Sequence, residues 1–348
     1  MATIARNNIV TVNHLLAGYV SRPASPADLD AVIETVNAAT RDLIGMDKYT
    51  ASDYKVEWEQ SGFNLETDTR LVTALDGQVA GIYEFWDLMQ PHIRYAVWGR
   101  VHPQHEGRGV GSHLLAWADQ RALLSLEKAP PGARVVLQGF VPSIIAGADA
   151  LFAENGYELI RHSLRMVIEL DAPPPAPHWS DGIVLRTMQE GEEADVLRAA
   201  REAFKDHWGH VETPFEEDFE RWMQRLHNDE RFDPSLWFLA MTGDEIAGVS
   251  LCWSRSFDDP TMGWVGTLGV RRPWRRQGLG MALLQHSFGE FYRRGTTIVG
   301  LGVDAQNLTG ALRLYTKAGM HSDHRHQHSI YEKELRAGND LSTQSLEK

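Results

Sequence analysis

The chain has one cysteine, Cys252, in 348 residues. That excludes an intrachain disulfide framework and a thiolate metal cluster. No apolar run approaches the ~20 residues that cross a bilayer. The N-terminus lacks the charged-then-apolar order of an export signal, so cytoplasm is the expected compartment. Cationic charge is also scarce: 34 Lys and Arg against 47 Asp and Glu leave a net charge of −13. Such a surface argues against nucleic acid and anionic membrane as partners. Within that acidic background Arg271, Arg272, Arg275 and Arg276 fall together. A local basic spot in an acidic protein suits a small anionic ligand.

What is present is one pattern written twice. Val270-Arg271-Arg272-Pro273-Trp274-Arg275-Arg276-Gln277-Gly278-Leu279-Gly280-Met281 has a counterpart in Val101-His102-Pro103-Gln104-His105-Glu106-Gly107-Arg108-Gly109-Val110-Gly111-Ser112. Each reads as a strand end, a short turn, a Gly-x-Gly corner and a helix. Bare backbone N–H groups at a helix start suit a phosphate. Two flanking segments repeat as well: Leu75–Ile82 with Thr242–Val249, and Leu151–Tyr157 with Leu314–Met320. The repeat is far too long for a solenoid, so the chain is a tandem of two globular domains.

The pattern predicts a mixed α/β fold in each copy: strands first, then alternating strand and helix. Residues 1–18 read as a leader or short extra element. The first domain is expected over 1–171, a stiff Pro-rich linker over 172–182, the second domain over 183–336, and a polar, frayed tail over 337–348. Strand pairs are expected over 157–170 and over 320–326 with 329–335, each pair joined by a turn.

At the second corner Gly278 and Gly280 allow the backbone to approach a ligand. The N–H groups from Arg276 to Met281 can converge on a pyrophosphate, and Arg275 and Arg276 can add charge-assisted bonds. A dinucleotide-binding βαβ unit is a rival reading, but it needs the corner after the first strand of its unit. Here the corner follows the fourth. The sequel is a strand ending Gly302-Val303-Asp304-Ala305-Gln306-Asn307, then a helix with Leu314-Tyr315 and Gly319. Together with Val270 and Arg275-Arg276-Gln277-Gly278-Leu279-Gly280, this ordered set resembles the GCN5-related N-acetyltransferase (GNAT) superfamily. The tandem layout and the segment Phe232–Ala240 look like the mycothiol synthase family.

The resemblance implies a mostly antiparallel sheet in each domain, splayed between its fourth and fifth strands and flanked by helices. It implies acetyl-CoA as cosubstrate, with the pyrophosphate on the amides of Arg275, Arg276, Gln277, Gly278, Leu279, Gly280 and Met281. The pantetheine arm is expected along Leu268, Gly269 and Val270, hydrogen-bonded by Asn307. Tyr315 is expected near the thioester sulfur as general acid. The activity implied is transfer of an acetyl group to a primary amine of a small molecule, by direct attack. Mycothiol-type acetylation of a cysteinyl amine is the narrower alternative. A non-catalytic CoA-binding or scaffold protein is the alternative of another class. A monomer or homodimer is expected.

The first copy departs from the pattern. Glu106 stands where Arg275 does, and Phe152 stands where Tyr315 does. That half reads as catalytically silent; a second CoA site on Val101, Gly107, Arg108, Gly109, Val110 and Gly111 stays open, as does a purely structural role. The family often places a glutamate on the fourth strand, but Gly263 to Leu268 carry no carboxylate. Base candidates are Asp258, Asp259, Asp206, His207, His210 and Glu212, with a water relay or an amine bound already neutral equally open. Asp206, His207, Trp208 and His210 occupy an expected substrate loop. His321, His324, His326 and His328 match no zinc pattern, and a turn is expected among them, so no metal is assigned.

Overall fold

The computed structural model describes residues 17–343. The leader read in residues 1–18 lies almost wholly outside them. The chain divides into two compact units, and each borrows a segment from the far part of the sequence. Unit 1 runs to Ile160 and takes Ser329–Asp340 as well; unit 2 is Arg161–His328 with the residues from Leu341 onward.

Unit 1 contains β1 (Tyr19–Arg22), α1 (Leu29–Ile44), α2 (Ala51–Trp58), α3 (Leu65–Asp68), β2 (Thr69–Ala74), β3 (Val79–Trp86), β4 (Arg94–Val101), α4 (Val110–Ser125), β5 (Val135–Pro142) and α5 (Ala148–Glu154). β6 (Glu158–Glu169) leads into unit 2. There follow β7 (Val184–Thr187), α6 (Glu193–Phe204), α7 (Phe215–Asn228), β8 (Trp237–Thr242), β9 (Glu245–Trp253), β10 (Met262–Val270), α8 (Leu279–Arg293), β11 (Ile298–Asp304) and α9 (Ala311–Lys317). β12 (His321–Arg336) leads back into unit 1. Strand order is β1-β2-β3-β4-β5-β12 in unit 1 and β6-β11-β10-β9-β8-β7 in unit 2. β4–β5 and β10–β11 pair parallel, whereas β1–β2, β2–β3, β3–β4, β7–β8, β8–β9, β9–β10 and β6–β11 pair antiparallel.

Local chemistry sets these boundaries. Ser25 and Asp28 form a reciprocal cap on the turn that opens α1. The Arg22 guanidinium reaches Asp28 at 2.6 and 2.8 Å and holds that carboxyl well below the usual carboxylate range. Helix α1 ends where Gly45 turns left-handed. In unit 1, Val32 and Val36 of α1 and Tyr54 and Trp58 of α2 pack on Leu71, Val79 and Ile82. Unit 2 buries both faces of its sheet. Val196, Ala199 and Ala200 of α6 cover Trp237, Leu239, Val249 and Leu251 on one face. On the other, Leu283, Leu284, Phe288 and Phe291 of α8 and Tyr315 of α9 cover Phe238, Val299 and Leu301. Each of these aliphatic and aromatic side chains contributes about 1.5–3 kcal/mol of burial.

Three expectations are corrected. The two strand pairs are single strands: β6 and β12 run without a turn. Neither contains Gly or Pro, and each extends because its two ends serve different units. Ser163–Glu169 pairs with β11 in unit 2, and Arg134 and Gln138 hydrogen-bond Glu332 in unit 1. The division therefore falls between Ile160 and Arg161 rather than in the linker expected over 172–182. The described part of the tail is not frayed. Asn339 exchanges backbone bonds of 2.9 and 2.8 Å with Arg134 and Gly132, and Gly338 permits this, since a Cβ there would lie 2.3 Å from the Gly132 oxygen. Thr343 exchanges bonds of 2.7 and 2.8 Å with Gly209 and His210.

Candidate active site

β10 and β11 pair only at Met262, Gly263 and Trp264, opposite Ile298, Val299 and Gly300. Both strands continue, to Val270 and Asp304, but they no longer pair. A bulge between Val265 and Thr267, against β9, kinks β10 just past that point. Gly266 is exposed there, and Leu268 is half-buried. Beyond Trp264, then, the β11 side of β10 has no strand partner. A slender extended group can lie along it.

The corner follows directly. Gly278 caps α8 at φ 84°, and Arg276 also has positive φ, 63°. The N–H groups of Arg276, Gln277, Gly278, Leu279, Gly280 and Met281 have no acceptor among the described residues. Arg276 is exposed and makes no ion pair among them. A row of free donors, a helix start and a free guanidinium fit a pyrophosphate. Arg275 is different: its donors are already taken. Nε reaches the Val270 oxygen and Nη2 the Ala203 oxygen, each at 3.0 Å, while Nη1 binds Asp206. It braces the corner against the end of α6.

Asp206 is the other half of that brace. It is buried and receives the guanidiniums of Arg272 and Arg275, which hold its carboxyl well below the usual carboxylate range. A carboxylate so paired is a weak base. Asp258 is likewise buried, and Arg165 donates to both its oxygens at 2.8 and 2.7 Å. Glu212 pairs with Lys205 at 3.1 Å.

The rest of the loop sits over the end of β11. Trp208 lies under the Arg161 guanidinium at 4.1 Å, and Arg161 bonds Asp304 at 2.7 Å. His207 packs at a tilt against Phe204, 4.5 Å between centroids, and its Nε2 lies 3.4 Å from Asn307 Nδ2. Asn307 Oδ1 caps the next segment, accepting from Thr309 N, Thr309 Oγ1 and Ala311 N at 2.9, 2.7 and 3.1 Å. His210 is half-buried; its Nε2 has no hydrogen-bond partner among the described residues, and Glu212 Oε1 lies 3.8 Å from it. Burial pushes the imidazoles of His207 and His210 below their usual value. Arg161 and the backbone partner Thr343 had no signal in the sequence, since both contacts are long-range.

Tyr315 is 7% exposed. Its hydroxyl has no hydrogen-bond partner among the described residues, yet it is not among the fully enclosed polar atoms. Burial pushes the phenol up to about 12, so it is protonated across the working range. That is the state a proton donor needs. β12 carries His324, His326 and His328 with no turn between them, contrary to expectation. His326 Nδ1 binds Asp323 at 2.6 Å. No group of three potential metal ligands occurs among the described residues.

In unit 1, β4 and β5 pair from Arg94 to Val97 and then part in the same way. The β3–β4 ladder carries no bulge. A cavity of about 380 Å³ opens at the gap, lined by Trp98, Arg100, Val101, Gly107, Gly109 and Gly111 among others. Arg108 does not line it, and Val110 is core. Phe152, in the place of Tyr315, stacks on Tyr331 at 4.6 Å.

The acetyltransferase (GNAT) family profile matches residues 34–127 and 197–320, so each matched stretch holds one corner. The chain belongs to the GNAT acetyltransferase family. It is an N-acetyltransferase, and proteins of this family use acetyl-CoA. It is similar to the mycothiol acetyltransferase of Thermobispora bispora, 33% identical over 226 residues, 63% of this chain and 70% of the relative. The mycothiol acetyltransferase of Amycolatopsis mediterranei is 31% identical over 231 residues, 63% and 69% of the two chains. A GCN5-related N-acetyltransferase from Sphaerobacter thermophilus superposes with TM-score 0.77 at 35% identity, covering 94% of this chain and 98% of that one. A tandem GNAT protein of clavulanic acid biosynthesis shares the fold, with TM-score 0.67, 15% identity and coverage of 92% and 100%. Among the described residues no helix is long and apolar enough to cross a membrane.

Proposed function

We propose that the chain moves an acetyl group from acetyl-CoA to the primary amine of a small molecule by direct attack, with unit 2 as the catalytic unit. The observation that carries this is the combination, in one unit, of the free N–H row at Arg276–Met281 with the unpartnered Tyr315 hydroxyl. Acetyl-CoA supplies the activated acyl carbon and the sulfur leaving group. Arg276, Gln277, Gly278, Leu279, Gly280 and Met281 hold its pyrophosphate, and the open edge at Leu268, Gly269 and Val270 aligns its arm. Asn307 can only donate to the arm, through its NH2 group, because its oxygen is committed to capping. Backbone N–H groups near Leu268 and Gly269 stabilise the developing oxyanion. Tyr315 gives its proton to the departing sulfur. Holding both reactants together lowers the barrier by several kcal/mol. Arg275 and Asp206 act indirectly, by fixing the corner.

The similarity to mycothiol acetyltransferases favours a cysteinyl amine as the acceptor. The unit 1 cavity favours a second reading alongside the first: acyl-CoA held there without turnover, because Phe152 offers no proton. Calorimetry with acetyl-CoA, paired with thiol release across a panel of small primary amines, tests both. The expected result is binding, turnover with at least one amine, and loss of both on Gly280→Trp. Absence of heat for acetyl-CoA overturns the reading; a stoichiometry of two supports the second site.

A further inference from the structure

We propose that His207 is the general base of the reaction, its Nε2 lone pair held by Asn307 until acyl-CoA takes the Asn307 amide. This rests on the reading above, in which Asn307 faces the acyl-CoA arm.

The amide orientation of Asn307 is fixed by its partners. Three donors converge on Oδ1, two of them backbone N–H groups, so the NH2 group must face His207. An NH2 group only donates. Nε2 of His207 must therefore accept, which leaves the ring proton on Nδ1. A protonated ring would set N–H against N–H at 3.4 Å, so the contact disfavours imidazolium. Burial acts in the same direction. The charged and titratable groups around the ring are Asp304 at the end of β11, His210 on the same loop, Arg275 from the corner and Asp206 beside it. Asp304 and Asp206 each favour the imidazolium, but both are paired, with Arg161 and with Arg272 and Arg275, and burial outweighs them.

β10 offers no carboxylate between Met262 and Val270. The loop imidazole is a neutral base already touching the residue assigned to the acyl-CoA arm. The NH2 group has two N–H donors, and Nε2 is released when the arm draws the one that now faces His207. The amine nitrogen then forms the new C–N bond as the thioester C–S bond breaks. The proton shed by the amine passes to His207 Nε2, and the Tyr315 hydroxyl proton goes to the sulfur. The imidazolium and phenolate restore each other through solvent, so the balance is amine plus thioester to amide plus thiol.

The test uses the full chain with 15N-labelled histidine, the His207 signals being assigned by their loss in His207→Gln. In the free protein the proton should sit on Nδ1. Saturating acetyl-CoA, with binding verified by calorimetry, should shift Nε2 toward an unbonded nitrogen. Asn307→Asp keeps the cap but presents an acceptor to Nε2, so it should move the proton to Nε2 and raise the ring's apparent pKa. With any amine the wild type turns over, His207→Gln should lower kcat by about 100-fold, abolish the acidic limb of the rate profile and leave acetyl-CoA affinity within about threefold. Bound acetyl-CoA with an unmoved His207 signal, or His207→Gln with its acidic limb intact, overturns the proposal. No acetyl-CoA binding, or no turnover of any amine, is instead a failure of the underlying reading.

Discussion

Residues 102–112 and 271–281 make the same turn with different chemistry. Each has a 3-10 turn with a proline in its first two positions, Pro103 first in one and Pro273 second in the other; Glu106 and Arg275 close it at φ −65° and −69°, and Gly109 and Gly278 cap the helix at φ 77° and 84°. Even the strained position between them is shared, with Gly107 at φ 67° and Arg276 at 63°. The backbone cradle survives in both copies because proline and glycine dictate it. Two side chains at the corner and its helix are found only in unit 2: the braced Arg275 and the buried phenol of Tyr315. Unit 1 keeps the same turn and an open cavity, and has a packed phenylalanine, Phe152, where unit 2 has Tyr315.

The sharpest way to break this comparison is to swap the proton donor. Tyr315→Phe should lower kcat by about 10²–10⁴, the range of a lost general acid, while leaving acetyl-CoA affinity nearly unchanged. The reverse change, Phe152→Tyr, should create no measurable turnover in a Tyr315→Phe background, because unit 1 also lacks the bulge that opens β10. Recovery of activity in that double variant would show that the phenol alone distinguishes the halves. With the phenol at about 12 in the folded protein, no alkaline fall in rate from its ionisation is expected below pH ~10.

The corner was legible in the sequence because local rules create it, whereas Tyr315 was singled out only by the resemblance. A Gly-x-Gly after a strand and a Pro in a turn both act within a few residues. What was not legible is what the chain does at a distance. Asp206 reads as a loop acid until Arg272 and Arg275 are found upon it. β6 and β12 read as hairpins because a repeat suggests that each copy closes its own sheet. A polar strand such as His321–Arg336 carries no mark of which partner it serves. Helix α2 was missed for a related reason: Tyr54 and Trp58 are buried, but Val56 between them is exposed, so no amphipathic stripe announces the element.

The brace is the next distinction to test. Asp206→Ala strips two guanidiniums of their carboxylate. Arg272 and Arg275 keep 49% and 27% exposure, so the cost should be about 2 kcal/mol, below the 3–5 of a fully buried pair. The exposed Glu106, at the matching place in unit 1, should cost less than ~0.5 kcal/mol as Glu106→Ala. Denaturant midpoints measure both. The sign with pH follows from the lowered carboxyl of Asp206: its contribution is full above the unfolded value near ~3.9 and is lost as pH falls below it. Asp206→Ala should therefore flatten the acid limb of the stability curve, and an unaltered limb would place the acid sensitivity elsewhere.

The smallest expected effect isolates the one non-glycine residue held at positive φ within either corner. Arg276→Gly gives unit 2 the residue that unit 1 has at Gly107. Relief of left-handed strain stabilises the fold by about 1 kcal/mol, and the added freedom of the unfolded chain removes about as much. Stability should thus stay within ~0.5 kcal/mol. Acetyl-CoA affinity should fall by about tenfold, the loss of one charge-assisted contact worth ~1.5 kcal/mol. That pairing of readouts separates ligand from scaffold. If affinity holds and only stability moves, Arg276 belongs to the architecture of the turn, and the anion is gripped by backbone alone in both units.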